Sequence, residues 1–152
     1  MLFSQTAEYA LRAAVLLADR ADQPQTTRQI AEATRVPAGY LSKVLQAMGR
    51  AGLVTSQRGI GGGFVLAQDA GQISVLDVVN AVDPLQRIVT CPLGLKNHGG
   101  RLCPLHRKLD DALALIEEAF GSTMIGDLLH TRSKSRPLCE VSVGGRRRKT
   151  SA

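Results

Sequence analysis

Ala7, Ala10, Leu11, Ala14, Val15 and Ala18 recur at the spacing of one helix face. They predict a first helix from about Ser4 to Asp19, broken by the polar run "ADQPQ". Thr26 with Gln29 has the arrangement of a capping box, so a second helix opens there and runs through "IAEAT" to about Arg35. Pro37 suits the first turn of a third helix, where its missing N–H leaves no partner wanting. Tyr40, Leu41, Val44, Leu45 and Met48 form the expected buried stripe of that helix. Gly39, Ser42, Lys43, Gln46 and Arg50 lie off the stripe, and Gly52 is placed to cap its end. Two short helices joined by a tight turn predict a helix-turn-helix.

The next stretch of chain has the pattern of a wing. "LVTSQ" and "FVLA" are strand-like, and "RGIGGG" between them is a hairpin tip. Ser74 with Asp77 caps a fourth helix, "VLDVVNAV", which stops at Asp83-Pro84. From about Leu85 to Leu105 the pattern is irregular. Leu109, Ala112, Leu113, Ile116, Ala119 and Phe120 then predict a long amphipathic helix, and Ser122 opens a last short one, "TMIGDLL". Residues 131–152 are polar, basic and without periodicity, which predicts a disordered tail.

Composition narrows the core. Of 152 residues 44% are hydrophobic, yet only 3% are aromatic and Trp is absent, so the interior must be built from Ala, Val, Leu and Ile. The nearest approach to a signal-peptide core, "ALRAAVLLA", is interrupted by Arg12, and no run approaches the about 20 apolar residues of a membrane span. Three cysteines are too few and too odd in number for a disulfide framework, so a cytoplasmic chain is expected. No nucleophile-elbow or metalloprotease pattern points to an enzyme.

The net charge of +6 is unevenly placed. The tail from Thr131 holds seven Lys/Arg against one acid, which accounts for the whole excess. Within the neutral body, Arg28, Arg35, Lys43, Arg50 and Arg58 face a single acid, Glu32, over the helix-turn-helix and wing. That segregation points to double-stranded DNA. Ser42 and Lys43 are candidates for base edges, Thr27 and Arg28 for phosphates, and Tyr40 for a phosphate or the core. A nucleotide-binding glycine loop would lie between a strand and a helix, whereas a second strand comes after this one. Instead, Gly61 and Gly62 are expected to let the tip approach the sugar–phosphate wall while Arg58 enters the minor groove.

"SQTAEYALRAAVLLA", "TTRQIAEATRVPAGYLSKVLQAMGRAGLV", "SQRGIGGGFVLA" and "ISVLDVVNAVD", in this order, closely resemble the Rrf-type winged-helix regulators, the family of IscR, NsrR and CymR. The resemblance covers roughly residues 1–130. It implies a mainly α fold with a small β-wing: a winged helix-turn-helix domain over 1–84, a Cys/His sensor loop over 85–105, a dimerisation helix and terminal short helix over 106–130, then the tail. It also implies a homodimeric transcriptional regulator, a repressor by expectation, on a pseudo-palindromic operator.

In cluster-binding members three cysteines precede the dimer helix. The outer two match Cys91 and Cys103, while the middle position falls at Asn97, beside His98. One branch adds a histidine, which His106 matches; another takes an acid from the partner's first helix, which Glu8 matches. The resemblance therefore implies an iron–sulfur cluster, [2Fe–2S] or [4Fe–4S], on Cys91, Cys103 and His106 or Glu8, with His98 as a further candidate. The residues themselves leave zinc, a thiol switch or no metal open, since thiolates with imidazoles suit zinc as well as mixed-ligand clusters. The alternative function is a cluster-free repressor controlled by thiol oxidation, a partner protein or a small molecule. Cys139 lies in the tail and matches nothing in the family pattern.

Overall fold

The computed structural model describes residues 2–98, 100–131, 135, 137 and 138. Helix α1 spans Gln5–Asp19, α2 Thr27–Thr34, α3 Ala38–Arg50, α4 Val75–Val82, α5 Pro104–Gly121 and α6 Ile125–His130. Strands β1 (Val54–Gln57) and β2 (Gly63–Leu66) form an antiparallel hairpin in the register Val54↔Leu66 to Gln57↔Gly63. The mainly α architecture with one β-wing is as the sequence predicts.

Helix α1 is the centre of the core and packs against α2, α3, α4 and α6. Its Ala7, Ala10, Ala13 and Ala14 are all buried, so neighbouring backbones approach closely where larger side chains would hold them apart. Leu16, Leu17, Ile30, Leu41, Leu45, Met48, Ile73, Val78 and Ile125 fill the remaining space. Thus an interior almost without aromatics closes by drawing helices together rather than by filling wide gaps.

The predicted caps form. Thr26 and Gln29 bond reciprocally at the start of α2, and Ser74 and Asp77 do the same at α4. Between α2 and α3 the chain turns through Arg35, which adopts a left-handed conformation with φ 57°. The turn is completed by the buried Val36, whose N–H bonds to the Ala31 carbonyl.

Two expectations are corrected. Tyr40 is not part of the buried stripe: it is 58% exposed, because Leu41, Val44, Leu45 and Met48 already fill that face. Its ring instead stands edge-on to Tyr9 at 6.2 Å. The last helix begins at Ile125 rather than near Ser122, which caps α5. Thr123 and Ile125 are occupied in backbone bonds, Val75 N–H to the Thr123 carbonyl and Ile125 N–H to the Ile73 carbonyl, which hold that stretch extended. In the expected tail, Leu138 packs half-buried against the core. Cys139 and the basic residues beyond it lie outside the described residues.

Candidate nucleic-acid interface and metal centre

The basic face is carried by α2, α3 and the hairpin. Ser42, Lys43, Gln46 and Arg50 are exposed and run along α3 opposite its buried stripe. The Ser42 hydroxyl donates to the Ala38 carbonyl at 3.2 Å, which leaves its oxygen able to accept. Gln46 and Arg50 are legible in the sequence as off-stripe positions, but no motif there ranks them as contacts. Thr27 is half-buried in the first turn of α2, and Arg28 beside it is exposed. Arg28 Nε donates to Glu32 at 2.9 Å, and this bond raises the guanidinium pKa. Both partners are solvated, so the pair is weak and phosphate can displace the carboxylate.

The glycine run has an internal cause. A Cβ on Gly62 would land on the Gln57 carbonyl oxygen across the hairpin, and one on Gly63 would collide with the backbone of Gln25. Phe64 N–H donates to the Gln25 carbonyl at 2.7 Å, and Gln25 N–H returns a bond to Phe64 at 3.0 Å. The hairpin is thereby clamped to the segment before α2, so wing and helix-turn-helix are held together. Arg58 stands exposed at the entrance of the tip and has no ion pair among the described residues.

The second constellation lies where the irregular segment meets α5. Arg87 donates to both carboxylate oxygens of Asp110 at 2.7 Å and reaches Glu117 at 3.2 Å, while Ile88 N–H donates to Asp110 at 2.9 Å. These bonds strap the segment before Cys91 along α5. The Arg87 hydrogen bonds hold the Asp110 carboxyl down at about 2, and the two acids raise the Arg87 pKa. This strap was not legible in the sequence, because its members are widely separated and none belongs to a motif.

Beyond the strap, Cys91, His98 and Cys103 bring one donor atom each to within 4.8 Å of one another. His98 Nδ1 is 3.2 Å from Cys91 Sγ, and His106 Nδ1 is 3.1 Å from Cys103 Sγ and 3.9 Å from Cys91 Sγ. Cys103 occupies the N-cap position of α5, with Pro104 next in the chain. Helical spacing puts Cys103 and His106 on one side of the first turn, and His98 closes the short 3-10 turn Lys96–His98. All four side chains are half-buried. A hollow of about 250 Å³ adjoins Cys91 and His98, with Lys96 and Arg101 on its wall. Two sulfurs and two imidazoles form a donor set that fits a thiophilic metal. Of the other candidates, Asn97 is exposed, and Glu8 is half-buried and paired with Arg12 at 3.0 Å.

Helix α5 has no fully buried residue. Leu113, Ile116 and Phe120 are half-buried, with Phe120 against Phe3 at 5.0 Å. Leu105, Leu109 and Leu115 are 63%, 48% and 68% exposed.

Comparison with known proteins bears directly on this arrangement. The Rrf2 family model, described as an iron-dependent transcriptional regulator, matches residues 3–131. The HTH-type transcriptional regulator IscR of Xenorhabdus nematophila is 30% identical over 130 residues, covering 85% of this chain and 79% of that protein. An HTH-type transcriptional regulator of Aquifex aeolicus is 29% identical over 137 residues, covering 88% and 95%. Among solved structures, CymR of B. subtilis, described as its global cysteine regulator, superposes with a TM-score of 0.70 at 25% identity, covering 83% of this chain and 94% of that one. IscR of T. potens shares the fold, with a TM-score of 0.70 at 24% identity over 84% and 85%.

Proposed function

The chain belongs to the Rrf2 family of transcriptional regulators and is not an enzyme, and from that premise we propose that it is a homodimeric cytoplasmic repressor whose affinity for a pseudo-palindromic operator is set by its Cys/His site. The observation that carries this reading is the junction at α5. The same helix supplies Cys103 and His106, holds the strap before Cys91, and packs against α4 of the DNA-binding half. A change of state at the sulfurs therefore acts on a helix in contact with the winged domain. In a dimer joined through α5, it would alter the spacing of the two α3 helices. This is a local ligation event biasing a two-state element.

On the DNA side, Ser42, Lys43, Gln46 and Arg50 of α3 face a major groove. Thr27, Arg28 and Tyr40 meet phosphates, and Arg58 enters the adjoining minor groove. Gly61 and Gly62 keep the wing tip slim behind Arg58. The Cys/His site would hold a metal-based centre on Cys91, His98, Cys103 and His106; when bound, that centre would engage the two thiolates, and its loss would release them as reactive thiols. The residues' part is positional: Cys103 and His106 fix the centre to α5, and Cys91 and His98 bring the loop to it.

The test is selection of a preferred duplex from a random library by the full-length protein, and then binding measurements at fixed salt. Arg58→Ala should weaken binding by ~1–3 kcal/mol with the fold retained. Lys43→Ala should relax base preference at one position of each half-site. If the library yields no preferred sequence, or neither variant changes binding, the assigned face is wrong.

A further inference from the structure

We infer that the Cys/His site takes a single tetrahedral divalent ion, zinc by ligand preference, held by Cys91, His98, Cys103 and His106 of one protomer. The inference rests on reading this constellation as a metal centre and specifies its occupant. It differs from the expectation of a cluster completed by His106 or by the partner's Glu8.

The argument is one of size. Zinc–sulfur bonds of about 2.3 Å and zinc–nitrogen bonds of about 2.0–2.1 Å, set at tetrahedral angles, separate neighbouring donor atoms by about 3.3–3.8 Å. The three sulfur–nitrogen distances here are 3.1, 3.2 and 3.9 Å, and the donors of Cys91, His98 and Cys103 all lie within 4.8 Å. One ion placed among Cys91, His98 and Cys103 is within reach of all three, and His106, close to both sulfurs but outside that three-donor group, completes the tetrahedron by turning toward it. A [2Fe–2S] cluster holds its four ligands as two pairs, one on each iron, and the bridging sulfides set the pairs farther apart than two ligands of one ion. Here the Cys91 sulfur stands 3.9 Å from His106 Nδ1 and within 4.8 Å of Cys103 Sγ, so it is close to both donors of the other pair.

The donor chemistry agrees. Two thiolates and two neutral imidazoles around a divalent cation give zero net charge, which suits half-buried side chains. An S₂N₂ tetrahedron is a zinc arrangement, and four protein ligands leave no open position, the mark of a structural rather than a catalytic ion. Asn97, at the family's middle-cysteine position, offers no thiolate, and the neighbouring His98 supplies the missing corner. Glu8 is engaged by Arg12, whose Nη1 also reaches the Thr34 carbonyl at 3.3 Å and whose guanidinium lies over the Tyr9 ring at 5.7 Å. That carboxylate has a role within its own protomer. The ion would thus staple Cys91 and His98 to the first turn of α5 without help from the partner.

The experiment uses the full-length protein, purified anaerobically, stripped with chelator under reductant, and titrated with Co²⁺ and then Zn²⁺. The expected result is one ion per protomer. The cobalt form should show the visible bands of a tetrahedral sulfur-ligated ion, bleached when zinc displaces it. His98→Ala and Cys103→Ala should each lower zinc affinity by more than about 100-fold, beyond what loss of an outer-shell partner produces. Glu8→Gln should bind zinc as wild type does, and circular dichroism of each variant checks the fold. Acid-labile sulfide with two or more irons per protomer in the anaerobic protein overturns the inference. So does zinc affinity that is indifferent to His98 or lost in Glu8→Gln. Binding to the selected duplex is measured on the same samples: a protein that binds DNA but takes no stoichiometric ion refutes this inference alone. One that binds the ion but no DNA refutes the functional reading instead.

Discussion

If the chain dimerises through α5 as proposed, replacing Leu109 and Leu115 together by Ala should leave a folded monomer. The two leucines are 48% and 68% exposed, so each has about half to two-thirds of its side-chain burial still to gain. Full burial of a leucine is worth about 1.5–3 kcal/mol, which leaves ~1–2 kcal/mol per side chain at an interface. A two-fold interface counts each residue twice, giving ~4–8 kcal/mol for the pair in both protomers. Alanine keeps part of that, so the loss is roughly 3–6 kcal/mol, a rise in the dimer dissociation constant of about 10²–10⁴-fold. The protomer's core loses little, because neither leucine is among the residues packed against it. Sedimentation equilibrium over a concentration series reads the assembly, and thermal unfolding of diluted samples reads the protomer. Wild type that is monomeric at micromolar concentration, or a double variant that dimerises as tightly as wild type, would refute the assignment of this face.

Two further predictions concern the strap and the wing. Asp110 has its pKa depressed from 3.8 to about 2, first by its bonds from Arg87, so it stabilises the fold above the ordinary value and loses that effect as pH falls toward 2. The stability gap between wild type and Asp110→Asn should hold from neutral pH down to about 4 and then shrink; a gap independent of pH contradicts the strap. Gly63→Ala should cost ~1–3 kcal/mol, because φ is 150° there and the new methyl meets the Gln25 backbone. Thermal denaturation together with duplex binding would show both stability and affinity reduced, and unchanged values would mean the hairpin is not clamped as described.

Much of the fold was legible because local rules agreed with the tertiary outcome. The Thr26–Gln29 and Ser74–Asp77 boxes announced two helix starts, and the strand-like runs on either side of "RGIGGG" announced the hairpin. Tyr40 misled because its spacing fits a helix stripe, and spacing does not say where a stripe's edge meets solvent. The start of α6 misled for a different reason: Thr123 and Ile125 form non-local backbone bonds with Val75 and Ile73, which no local pattern encodes. At the candidate site, Cys91, Cys103 and His106 were identified by likeness to a family, and His98 only by its place beside Asn97. The convergence of Cys91, His98 and Cys103, with His106 beside the two sulfurs, could not be read, since the loop is turned back along α5 by the Arg87–Asp110 strap. The glycine run was read correctly as a hairpin tip, but Gly62 answers to the hairpin's own packing and Gly63 to the Gln25 backbone before α2.

The central claim is that the Cys/His site governs DNA binding, and affinity for the selected duplex in the loaded and ion-free states tests it most directly. Both forms are measured anaerobically at one salt concentration, beside Cys91→Ala and Cys103→Ala. The account predicts that loading shifts affinity by at least about tenfold, roughly 1.4 kcal/mol and within the usual range of allosteric coupling. Both cysteine variants should then be fixed at a single affinity that added metal does not move. Equal affinity of loaded and ion-free wild type, with both cysteine variants matching it, would contradict the account.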